Sequence, residues 1–181
     1  VPDKVFVPVG DGNIISGIWK GFKDFYELGL IEKLPQLIAV QAEGSAAISN
    51  AINKNTKVIE AVKANTIADS ISVDIPRDGE LAVKSVLESQ GGAVTVSDNE
   101  ILSAIKEVAR LTGIFGEPAG VTGYAGLKKL LNANKLKESE KIVIVVTGNG
   151  LKDVASAQKS VGQPYQIEAD IDSFLKVYNK K

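Results

Sequence analysis

The first chemistry in this chain lies where a strand runs into a helix through glycines. Residues Val7-Pro8-Val9-Gly10-Asp11-Gly12-Asn13 pass from a β-branched run straight into an amphipathic stretch. Glycines let the backbone turn sharply and leave its N–H groups free, and a helix N-terminus adds a partial positive charge of about +0.5. Together these hold a phosphate without any basic side chain. That matters here, because the only arginines are Arg77 and Arg110, neither of them near the loop in sequence. A tight strand-to-helix turn with no ligand explains the same residues equally well. A dinucleotide fingerprint would need a third glycine at position 15, which is Ile15, and no Gly-Lys-Ser/Thr follows as a P-loop requires.

Three further segments bear on chemistry. Thr147-Gly148-Asn149-Gly150-Leu151-Lys152-Asp153 follows the strongest apolar run, Ile142 to Val146. Open α/β sheets bind ligands beyond the carboxyl ends of their strands, so Thr147 would place a hydroxyl at that edge, with Gly148 allowing close approach. By itself the segment is more simply a glycine-rich loop with Thr147 satisfying a local backbone group. Phe115-Gly116-Glu117-Pro118-Ala119-Gly120 opens a stretch rich in small residues. Glu117 could face a ligand there, but an acidic residue before a helix is also favoured by the dipole alone. Val40-Gln41-Ala42-Glu43-Gly44 reads as a strand end and turn.

The elements that must position these residues alternate. Val5 to Val9, Leu37 to Ala42, Ala93 to Val96 and Ile142 to Val146 read as strands, with Ser70 to Val73 a shorter candidate. Ile142 to Val146, five β-branched residues in succession, has the pattern of a parallel strand buried on both faces. Ile15, Ile18, Trp19, Phe22, Phe25 and Tyr26 recur at three- and four-residue spacing, which predicts a helix over 14–28, with Gly29 as its stop. Helices are also expected over 45–53, 79–89, 98–111, 118–133 and 170–179; Asp98 marks the start of the fourth helix and Pro118 the first turn of the fifth. Strand and helix in alternation predict a three-layer α/β fold, a mainly parallel sheet with helices on both faces.

Composition narrows the options. The 181 residues carry 21 basic and 22 acidic side chains, a net charge of -1 with no basic block, which argues against nucleic acid or a membrane surface as the main partner. With no His, Cys or Met, His bases, thiolate nucleophiles and the usual zinc sites are excluded, and no metal site is expected. Disulfides are impossible, which fits a cytoplasmic location. The 44% hydrophobic content suits one globular domain over 1–181. Because it opens at Val1 without Met, the chain is expected to begin inside a longer reading frame.

Taken in order, Pro8-Val9-Gly10-Asp11-Gly12-Asn13, Lys20-Gly21-Phe22, Val40 to Gly44, Thr66-Ile67-Ala68-Asp69-Ser70-Ile71, Glu117-Pro118-Ala119 and Thr147 to Asp153 resemble the threonine synthase family. These are pyridoxal-phosphate enzymes of the tryptophan-synthase-β fold, also called fold type II. The resemblance spans nearly the whole chain, and its specificity comes from six motifs in order rather than from any one. It implies that the loop matching Gly10, Asp11, Gly12, Asn13 and Ile14 cradles the phosphate of pyridoxal 5'-phosphate through backbone amides. It also implies that Thr147 hydrogen-bonds the pyridine nitrogen, and that Glu117 and Gly148 lie near the ring or substrate. A neutral hydroxyl at that nitrogen leaves the ring largely unprotonated and moderates its pull on electrons. Asp11 stands where the family's loop commonly has Asn, and its carboxylate is expected to turn away from the phosphate.

The family's Schiff-base lysine sits in a Ser-Phe-Lys-Asp-Arg-like motif well before the phosphate loop, and here only nine residues precede Gly10. Phe22-Lys23-Asp24 imitates three letters of it but follows the loop, so Lys23 reads as a solvated helix residue. The chain is thus expected to be the carboxyl-terminal part of a longer enzyme, missing the upstream half with the catalytic lysine and inactive alone. The whole enzyme would convert O-phospho-L-homoserine and water to L-threonine and phosphate, and a homodimer is compatible with this resemblance. One alternative is another fold type II lyase, such as a threonine dehydratase. A second, of a different class, is a non-catalytic nucleotide- or anion-binding α/β module.

Overall fold

Four strands lie side by side, every neighbouring pair parallel, in the order β3-β2-β1-β4: β1 is Lys4–Pro8, β2 Gln36–Ala42, β3 Gly92–Val96 and β4 Ile142–Ile144. The structure is a computed structural model that describes residues 1–179. Register follows the alternation of side chains, with Val5 opposite Leu37 and Phe6 opposite both Ile38 and Ile144. Helices α1 (Asn13–Glu27), α2 (Ala47–Asn53), α3 (Gly79–Glu88), α4 (Asp98–Thr112), α5 (Pro118–Asn132), α6 (Val154–Val161) and α7 (Ile171–Tyr178) complete the order.

The period-2 pattern of the strands splits the core in two. Val5, Val7, Val9, Leu37 and Ala39 face one way and pack against Ile15 and Trp19 of α1, Ile48 and Ile52 of α2, and Val83 and Val86 of α3. Phe6, Ile38, Val40, Val94 and Val96 face the other way, against Ile101 and Ile105 of α4 and Val121 and Ala125 of α5. The result is the expected three-layer α/β arrangement. Among the described residues no helix is long and apolar enough to cross a membrane.

The structure corrects several expectations. Residues 70–73 form no strand; a 3-10 turn, Asp69–Ile71, stands there instead. The Ser45 hydroxyl satisfies this backbone, donating to the carbonyls of Ile71 and Val73 (3.0 and 3.1 Å) and accepting from the Val73 N–H, so no ladder is needed. The Ile142–Val146 run is regular only over β4, an edge strand among the described residues that pairs with β1 alone, and Val143 is 46% exposed. Helix α4 begins at Asp98 as expected, but its cap is Ser97, with Glu100 closing a capping box. The Asp98 carboxylate instead holds the Thr66 hydroxyl (2.5 Å) and the Ile67 N–H (3.2 Å). Helix α6 was not expected; Asp153 caps it by accepting from the Ser156 N–H at 2.9 Å.

Candidate functional site

Strand order explains where a site can form. From β1 the chain moves outward to β2 and β3, then returns across the sheet to β4 on the other side of β1. The crevice at the carboxyl ends of β1 and β4 is therefore the point where the winding reverses, and ligands of open α/β sheets bind at such points. A pocket of about 270 Å³ lies there, lined by Pro8 to Ile15, Ser70, Ile71, Glu117, Ala119, Thr147 and Lys152. A larger and more open groove, about 840 Å³, runs along residues 57–59 and 75–84, behind the glycine loop.

One wall is the loop from Gly10 to Ile14. Among the described residues, none of its five N–H groups has a protein acceptor: the neighbouring bonds are Val9 N–H to the Val40 carbonyl and Ser16 N–H to the Gly12 carbonyl. Gly12 is the N-cap of α1 in left-handed conformation (φ 102°), without a side-chain cap and with no acidic residue in the first turn. A Cβ there would come within 2.8 Å of the Ala82 Cβ and 2.9 Å of the Asp78 carbonyl oxygen, so both conformation and space call for glycine. Unpaired donors at a helix N-terminus are the kind of groups that can hold an anion.

The loop's flanks hold it open. The Asp11 carboxylate accepts from the Arg77 N–H at 3.0 Å, and the Asp11 carbonyl from the Asp78 N–H at 3.0 Å. Its charge is thereby committed to the main chain before α3. On the other side Gln41, fully buried at the end of β2, donates to the Val9 carbonyl at 3.2 Å and accepts from the Ser49 N–H at 2.7 Å.

The opposite wall joins two distant segments. Glu117, the N-cap of α5, donates its N–H to the Gly148 carbonyl at 3.0 Å, and the Gly150 N–H donates to the Phe115 carbonyl at 2.9 Å. A Cβ on Gly148 would sit 1.8 Å from Glu117 Oε1, so the loop approaches Glu117 as closely as backbone allows. Thr147 is exposed on this wall, and its hydroxyl makes no hydrogen bond among the described residues. The Glu117 carboxylate is only 6% exposed; it accepts from Lys152 Nζ at 2.9 Å and from the Ser70 hydroxyl at 3.5 Å.

Gly10, Asp11, Gly12, Asn13, Ile14, Glu117 and Thr147 thus line one pocket, with Gly148 directly behind it. Sequence reasoning missed Ser70 and Lys152 as lining residues. Both lie in motifs quoted for the family resemblance, but their meeting at Glu117 depends on tertiary placement. Lys23, by contrast, sits on the surface of α1, 3.4 Å from Glu88 and over the Trp19 ring.

The model of the family described as pyridoxal-phosphate dependent enzyme matches residues 1–148. The threonine synthase of Methanocaldococcus jannaschii is 41% identical over 178 residues, covering 98% of this chain and 44% of that protein. That of Halalkalibacterium halodurans is 37% identical, covering 96% of this chain and 47% of that protein. The chain therefore spans less than half the length of these curated relatives. Among solved structures, the processed form of threonine deaminase isoform 2 from Solanum lycopersicum superposes with a TM-score of 0.70 at 24% identity, over 88% of this chain and 43% of that one. Pyridoxal-phosphate-bound threonine synthase from Brucella melitensis gives 0.62 at 15% identity, over 93% and 40%. At these identities the likeness to solved structures shows a shared fold.

Proposed function

The chain belongs to the pyridoxal-phosphate dependent enzyme family, and from that premise we propose that it is the cofactor-phosphate-binding part of a threonine synthase. The reaction would convert O-phospho-L-homoserine and water into L-threonine and phosphate. The observation that carries this reading is one pocket lined both by the Gly10 to Ile14 loop, whose five N–H groups have no acceptor among the described residues, and by Thr147, whose hydroxyl has no partner among them. The relatives named threonine synthase, at 33–41% identity, support the choice of reaction.

The residues fit the cofactor's two ends. The loop amides and the N-terminus of α1 would take the phosphate dianion, in a cradle where Gly12 leaves no room for a side chain. The Thr147 hydroxyl would donate to the ring nitrogen, which an unprotonated pyridine can accept. When bound, the cofactor supplies an electron sink for negative charge developing on the substrate carbon. Asp11 keeps its carboxylate on the Arg77 amide, and Gln41 holds the Val9 carbonyl, so the loop's donors stay aimed at the pocket. Lys152 is the only lysine lining this pocket among the described residues, and its ammonium is engaged by Glu117. A lysine held in an ion pair is a poor nucleophile. This supports placing the lysine that binds the cofactor covalently in a part of the enzyme upstream of residues 1–181, which would then form one α/β unit of a longer protein.

Two measurements test the reading. The enzyme that carries this chain should release phosphate and L-threonine together from O-phospho-L-homoserine; turnover of threonine to 2-oxobutyrate without phosphate release would assign it to the deaminases instead. The 181-residue chain mixed with pyridoxal phosphate and treated with borohydride should show no stoichiometric adduct on any single lysine. An adduct mapped to Lys152 would place the covalent site inside the chain.

A further inference from the structure

The geometry points to Lys152 as a positioning residue: by holding the buried Glu117 carboxylate, its ammonium fixes the loop that presents Thr147. This rests on the proposed cofactor site, where the placement of Thr147 has a consequence. The loop grips Glu117 twice. Its main chain accepts the Glu117 N–H at the Gly148 carbonyl (3.0 Å), and four residues on its Lys152 side chain reaches Glu117 Oε1 (2.9 Å). Between these two points Gly148 rests directly on the carboxylate, with no space for a Cβ. The antiparallel bridge between Gly116 and Asn149 and the Gly150 N–H bond to Phe115 continue the same seam.

Removing the ammonium would leave Glu117 with one long contact, the Ser70 hydroxyl at 3.5 Å. A buried carboxylate without its partner is strongly disfavoured, so it swings toward water or draws in another donor. Either way the surface under Gly148 changes, and Thr147 is the next residue. Lys152 itself is 58% exposed, so truncating it removes little packing of its own, and the cost of its loss falls on Glu117 and the loop above it. Among the described residues the phosphate cradle shares no hydrogen bond with the seam and meets it only where Gly10 packs on the main chain of Ser70 and Ile71, so phosphate binding should be largely spared.

The test uses the full chain with Lys152→Ala, Lys152→Arg, Glu117→Gln and the Lys152→Ala/Glu117→Gln pair. Without ligand, amide exchange at Glu117 and Gly150 should quicken roughly tenfold relative to the amides of the sheet core in Lys152→Ala and return toward the parent in Lys152→Arg. Lys152→Ala should matter much less when Glu117 is already Gln. In titrations, Lys152→Ala should weaken pyridoxal phosphate roughly tenfold while inorganic phosphate stays within about twofold of the parent. Unchanged exchange in Lys152→Ala overturns the inference, as does failure of Lys152→Arg to restore it. Equal weakening of both ligands also overturns it, making Lys152 a phosphate ligand instead. If the parent binds neither compound, the cofactor reading falls, and the exchange rates still decide whether Lys152 holds the loop.

Discussion

Gly12 concentrates the site's requirements in one residue, since its φ of 102° and the closeness of Ala82 both exclude a side chain. Gly12→Ala should destabilise the chain by about 1–3 kcal/mol and abolish anion binding at the loop, measured by denaturant unfolding and phosphate titration. Thr147 differs, because its exposed hydroxyl has no partner to lose. Thr147→Ala should leave stability and inorganic phosphate binding unchanged but weaken pyridoxal phosphate by about 1–3 kcal/mol, the cost of an unpaired ring nitrogen. Thr147→Asp should shift the bound cofactor toward a protonated ring, visible in its absorption spectrum, because a carboxylate only accepts. The glycine loop was legible in sequence because strand, turn and helix start are contiguous. Ser70, Glu117 and Lys152 meet only after three separate segments fold together, so Ser70 and Lys152 carried no local signal.

At the scale of elements, α1 must be held firmly for its N-terminus to serve as an anion site. The only tryptophan does this from within α1: Trp19 donates its indole N–H to Glu88 Oε2 of α3 at 2.8 Å, and Lys23 approaches the same carboxylate. The indole donor first, and Lys23 with Lys84 after it, outweigh desolvation and hold the Glu88 carboxyl below its ordinary value of 4.5. A carboxylate whose pKa is lowered on folding contributes stability that is fully present above its unfolded value and lost as pH falls through the folded one. Glu88→Gln should therefore be destabilising at pH 7, and its difference from the parent should shrink below about pH 4.5 as the parent loses its ionised carboxylate. Unfolding followed by Trp19 fluorescence measures both. The amphipathic period that predicted α1 also reflects this packing, since Ile15 and Trp19 are buried. Helix α6 was hard to read because its apolar positions, Val154, Ala157 and Val161, hold only small or β-branched side chains, and both valines stay exposed. The β-branched run at β4 signalled a strand but not its position at the sheet edge, since periodicity reports side-chain character and not neighbours.

At the scale of the molecule, the sheet order matters most, because it puts the reversal of winding beside β1 and so brings Gly10 and Thr147 to one crevice. Alternation of strand and helix made the α/β class legible, but the strand order that builds the pocket was not written in any local pattern. Central to the proposed function is a preformed phosphate site in this crevice, made from main chain. Titrating inorganic phosphate into the isotopically labelled chain and following amide resonances tests it most directly. The N–H signals of Gly10, Asp11, Gly12, Asn13 and Ile14 should shift together along one saturable curve, and the same titration of Gly12→Ala should leave them still. Absence of a saturable shift at those five amides, or a shift centred instead on residues 75–84 along the larger groove, would contradict it.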